Sequence, residues 1–100
     1  MDDRLPNMHD AVLERIELRW SHDAPDVTFH VSQFGSGQPI QVVARSATHF
    51  SATRLNEWGP SESVNSASVE SDAERQFLTI EMQSGDQIAV HCASITAHTA

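Results

Sequence analysis

"FLTIEMQSGDQIAVHC", residues 77–92, is the stretch whose reading decides the fold. Leu78, Ile80 and Met82 alternate with Phe77, Thr79, Glu81 and Gln83, while Ile88, Val90 and Cys92 alternate with Gln87, Ala89 and His91. An apolar side chain at every second position marks a strand with one dry face. Keeping both apolar sets on the same face requires an odd number of loop residues between the strands. Setting Met82 against Ile88, Ile80 against Val90 and Leu78 against Cys92 makes Ser84-Gly85-Asp86 the expected loop, or five residues if Gln83 and Gln87 join it. A slip of one residue would turn one strand's apolar set to water. Gly85 or Asp86 can take the left-handed conformation that a three-residue loop demands.

The N-terminal third repeats the pattern. Ile16, Leu18 and Trp20 alternate with Arg15, Glu17 and Arg19, and Val27, Phe29 and Val31 alternate with Thr28, His30 and Ser32. "SHDAPD", residues 21–26, separates them with turn residues. Pairing Trp20 with Val27 sets Leu18 against Phe29 and Ile16 against Val31, and brings Glu17 opposite His30 on the other face. Leu5, Met8, Val12 and Ile16 also fall at helical spacing behind Pro6, which allows one short helical turn before a strand that begins near Leu13.

"GSGQP", residues 35–39, breaks the chain, and Ile40 to Leu55 reads as a strand or two with a bulge or bend. Trp58-Gly59-Pro60 reads as a turn carrying an aromatic anchor. Beyond it Val64 lies on the even face and Ala67 and Val69 on the odd one, so one strand can bury all three only with an extra residue near Asn65-Ser66. A bulge is expected there, or a strand with both faces partly covered. In the loop at residues 71–76, Ser71 with Glu74 has the pattern that caps a helical turn. Short strands with regular turn signals define an all-β domain over residues 1–100: a small antiparallel barrel or sandwich of about six to eight strands. Residues 1–8 are expected to be a flexible or loosely docked N-terminus.

With 100 residues the chain suffices for one core. Its six arginines, absent lysines and fourteen acidic residues give a net charge of -8. That balance argues against nucleic-acid and anionic-membrane binding, which need a basic footprint, and favours either plain solubility or attraction to a basic protein partner. The longest apolar run, Val42-Val43-Ala44, is far too short to span a membrane, and the acidic N-terminus is not expected to act as a secretion signal. One cysteine, Cys92, cannot form an internal disulfide, so a cytoplasmic location is expected.

Chemistry-bearing residues are scattered. The six histidines show no metal-ligand spacing, and His30 and His91 sit on the polar faces of predicted strands. Cys92 is in phase with Ile88 and Val90, as a small core residue would be. "WGPSES" lacks a nucleophile elbow, no glycine loop cradles phosphate, and no acid pair stands out. No catalytic residue, metal or cofactor is assigned, and the chain is read as a non-enzyme. Trp58 either fills the core or anchors a binding surface. In the second case Glu57, Glu62, Glu70 and Asp72 are the candidate acidic rim.

"HDAVLERIELRW", "EWGPSESVNSASVE" and "LTIEMQSGDQI" together resemble small uncharacterised bacterial all-β proteins, some of which are grouped with immunity proteins of polymorphic toxin systems. The resemblance covers three blocks of residues 9–95 and rests on turns, strand faces and a tryptophan. It implies a small, acidic, cytoplasmic domain that blocks a basic toxin domain, and it carries no catalytic residue. Two other readings stay open: a small barrel that binds an apolar or carbohydrate ligand, and a structural module that self-associates as a homodimer through its edge strands.

Overall fold

A computed structural model describes residues 5–56 and 58–99. Eight strands form there: β1 (Val12–Arg19), β2 (Asp26–Ser32), β3 (Pro39–Arg45), β4 (His49–Ala52), β5 (Val64–Asp72), β6 (Arg75–Met82), β7 (Gln87–Cys92) and β8 (Ser94–Thr99). They sort into two antiparallel sheets, ordered β1-β2-β3-β8 and β4-β7-β6-β5. Alternation explains the core directly. The first sheet turns Val27, Phe29, Val31, Ile40, Val42 and Ala44 inward, and the second turns in Leu78, Ile80, Met82, Ile88, Val90 and Cys92. These side chains make one buried cluster, each of the larger ones contributing roughly 1.5–3 kcal/mol on leaving water.

The sheets do not close into a barrel. Among the described residues a short join links them, where Val12 bridges Ser63. There the Asp10 N–H donates to the Val64 carbonyl and the Leu13 N–H to the Glu62 carbonyl, both at 2.8 Å. Those bonds also overturn the expected N-terminal helical turn. Backbone donors that a helix would satisfy locally are taken by a distant segment, and no helix occurs among the described residues. Met8 is buried and Leu5 packs against the core; residues 1–4 lie outside the described residues.

Two registers differ from the sequence expectation by two residues, which preserves the faces. In the C-terminal hairpin Ile80 pairs with Ile88 and Leu78 with Val90. The Met82 N–H donates to the Asp86 carbonyl, which closes the hairpin around Gln83-Ser84-Gly85, and the ladder proper begins with Glu81 and Gln87. In the N-terminal hairpin Leu18 pairs with Val27 and Ile16 with Phe29. A bulge follows at Glu14, and Trp20 falls outside the strand, 92% exposed. Glu17 therefore lies opposite Thr28, yet its carboxylate still reaches His30 Nε2 diagonally.

The expected bulge in β5 is present, between Val64 and Ser66. Residues 71–76 hold no helical turn: Asp72 pairs with Arg75, and Ala73-Glu74 is a tight hairpin with Ala73 at φ 55°. Ile40 to Leu55 divides into β3 and β4, separated by a crossing from one sheet to the other through Ser46 at φ 55°. That crossing is why the period of two blurs after Ala44.

Candidate functional site

The most elaborately built polar feature lies where β6 turns into β7. Ser84 and Asp86 are the buried polar residues of the described chain, each 1% exposed. The Asp86 carboxylate accepts hydrogen bonds from the Leu55 N–H at 2.6 Å, the Asn56 N–H at 3.2 Å, the Ser84 hydroxyl at 2.7 Å and the Thr53 hydroxyl at 3.3 Å. Four donors converging on one carboxylate stabilise its charge, and they hold its pKa well below the usual carboxylate range, the Ser84 hydroxyl first among the causes. A buried acid so satisfied acts as a clasp. It ties the segment leaving β4 to the hairpin that closes β6 and β7.

The clasp continues through the next residues. The Ser84 carbonyl accepts the Trp58 N–H at 3.1 Å, and Asn56 Oδ1 accepts the Ser61 N–H at 3.1 Å. The Trp58 ring lies on Gly85, whose φ is +94°. A Cβ built on Gly85 would stand 2.5 Å from Trp58 Cζ3, so only glycine lets the indole settle there. One indole face is thus packed while Trp58 stays 76% exposed, and Leu55, three residues earlier in the same connection, is 70% exposed. Trp58 is a surface residue held in a defined place, not a core plug.

The expected acidic rim is only partly assembled around it. Glu62 is exposed in the same connection, just before β5. Glu70 and Asp72 lie at the far end of β5, where they pair with Phe77 and Arg75. Six residue steps along the strand separate Glu70 from Val64, about 20 Å at roughly 3.3 Å per residue. Glu57 falls outside the described residues. Nothing in the spacing of these acids foretold that β5 would carry two of them away from the indole.

Other chemistry-bearing residues fall on the outer faces. His49, His91 and Phe77 form a row across β4, β7 and β6, with ring centroids 4.7 and 4.8 Å apart. On the first sheet the Glu17 carboxylate contacts His30 and, at 3.2 Å, the Arg15 guanidinium. The His30 hydrogen bond, aided by the Arg15 charge, holds the Glu17 pKa below its ordinary value. Among the described residues no three histidine, cysteine or acidic side chains converge as a metal site would require. Cys92 is buried in the core, and its thiol donates to the Gln76 carbonyl at 3.7 Å.

The long edge between β1 and β4 is hollow. Two cavities of about 580 and 570 Å³ line it end to end. The first is floored by Val27, Ala47 and Phe50 and flanked by Leu18 and Trp20. No described helix is long and apolar enough to cross a membrane. The chain matches no family model, no curated protein and no solved structure.

Proposed function

We propose that the chain is a sandwich-type, non-enzymatic, cytoplasmic protein-binding domain that occludes a basic partner, as an immunity or antitoxin-like protein does. The observation that carries this reading is the pinned, outward Trp58. An exposed indole normally costs solubility, and a loop that merely tolerated one would not hold it against a glycine with a buried carboxylate beneath. Rigid aromatic anchors of this kind dominate binding energy at interfaces because little side-chain freedom is lost on docking. Leu55 extends the apolar contact and Glu62 supplies adjacent charge. The net charge of -8 favours rapid approach of a basic surface, an effect on association rate that salt weakens.

Affinity capture from a bacterial lysate tests this. The intact chain should retain a basic protein, identified by mass spectrometry, that Trp58→Ala releases and that leaves progressively as salt is raised. A capture profile unchanged by Trp58→Ala removes the reading.

A further inference from the structure

The four strands at the sheet edges are not equally defended. β5 presents acids of one sign, Glu70 and Asp72, so two copies of it repel. β4 has four residues, and β8 presents small polar residues and His98. β1 differs from all three. Its outward side chains alternate in sign, Arg15, Glu17 and Arg19, and its other face leaves Leu18 53% exposed with Trp20 beyond it. An edge that keeps apolar residues exposed and carries both charges does not repel its own copy.

We propose that a second copy of this chain pairs with β1, antiparallel about a two-fold axis through Leu18, joining the two first sheets into one. Charge complementarity selects that register. Centred on Leu18, Glu17 stands opposite Arg19 of the second copy and Arg19 opposite its Glu17. On the inner face Ile16 meets Trp20 of the second copy, Leu18 meets Leu18, and Trp20 meets Ile16. Centring on Glu17 instead would set Glu17 against itself and Arg15 against Arg19. Centring on Ile16 pairs Glu17 with Arg15 but sets Leu18 against Glu14 and Trp20 against Val12, whose edge is already bridged to Ser63. The Leu18 register alone satisfies both faces.

The pairing accounts for other observations as well. Among the described residues Arg19 has no ion-pair partner, and the second copy provides one. The 580 Å³ hollow lies just inside Leu18 and Trp20, where apolar side chains from the second copy would cover its mouth. A ligand made only of apolar groups would instead shield the free strand edge from water without bonding its N–H and C=O groups, which is costly. An antiparallel strand supplies those bonds, and a two-fold pairing closes on itself without forming fibres. The surface lies at the opposite end of β1 from the Trp58 loop, so this proposal stands or falls apart from the partner-binding reading.

Cross-linking and charge reversal test it on the intact chain. Residues on the axis face each other within disulfide reach, and Cys92 is buried, so Leu18→Cys should become a covalent dimer on mild oxidation. Thr28→Cys, on the neighbouring strand, should stay monomeric under the same treatment. In sedimentation equilibrium the unmodified chain should show a monomer–dimer balance. Glu17→Arg or Arg19→Glu should weaken it about tenfold or more by opposing like charges twice, and the double reversal should restore it. Circular dichroism checks that each variant is folded, and Leu18→Cys decides the matter if a reversal variant is not. An unmodified chain that stays monomeric at millimolar concentration, or a dimer that Leu18→Cys fails to lock, overturns the proposal.

Discussion

Where β6 turns into β7, Trp58 rests on Gly85 and its loop is bound to Asp86 by backbone and hydroxyl donors. At the other end of the molecule Trp20 follows β1 into a six-residue connection, 92% exposed and beside a hollow. Both indoles face water, but one is placed by a buried charge and the other by the end of a strand. Buried polar groups must be satisfied, so they dictate geometry in their surroundings. Open strand edges carry no such demand until another strand arrives. The first end is therefore structurally costly to alter and the second is not.

The sharpest way to break that contrast is Asp86→Asn. The amide keeps the shape but turns an NH₂ toward a backbone N–H and a hydroxyl, leaving one part-buried N–H of the loop without an acceptor. The thermal midpoint should fall by at least about 10 °C, read by circular dichroism. Acid titration adds a second reading. Because the folded-state pKa of Asp86 lies below its unfolded value, its stabilising effect is complete above about pH 5 and fades as pH drops through the acid range. The unmodified chain should lose stability along that descent more steeply than Asp86→Asn does. Equal slopes would show that the carboxylate's charge is not what holds the loop.

Gly85→Ala should come next. It forces a side chain into the left-handed region and against the indole, costing about 1–3 kcal/mol in chemical denaturation and shifting Trp58 fluorescence as the ring is displaced. The smallest effect belongs to the open end. Trp20→Ser should change the stability of the dilute chain by no more than about 0.5 kcal/mol, since the residue is almost fully exposed. A loss as large as that of Gly85→Ala would mean the two ends are equally constrained and would dissolve the comparison.

The site was legible in part. Asp86 and Ser84 share the parity of Ile88, Val90 and Met82, but both belong to the expected hairpin loop, where alternation does not govern burial. The stretch "SGD" has turn chemistry, and that local meaning concealed the buried role. Thr53, Leu55 and Asn56 gave no signal, because two of them bond through backbone N–H groups that every residue possesses. The grouping of Trp58 with Glu70 and Asp72 rested on closeness along the chain, which an extended strand converts into distance.

By itself the chain's alternation determined that it is built of antiparallel strands and which faces are dry, and it narrowed β5 to a bulge near Asn65-Ser66 or two half-covered faces, because side-chain direction in a strand depends only on residue parity. The registers, the division into two sheets and the exposure of both tryptophans were decided by tertiary structure. A shift of two residues preserves every face, so alternation cannot distinguish the alternatives. Here the register sets Ile80 against Ile88, and the Asp86 carboxylate receives donors from a segment some thirty residues earlier that only the assembled fold brings there.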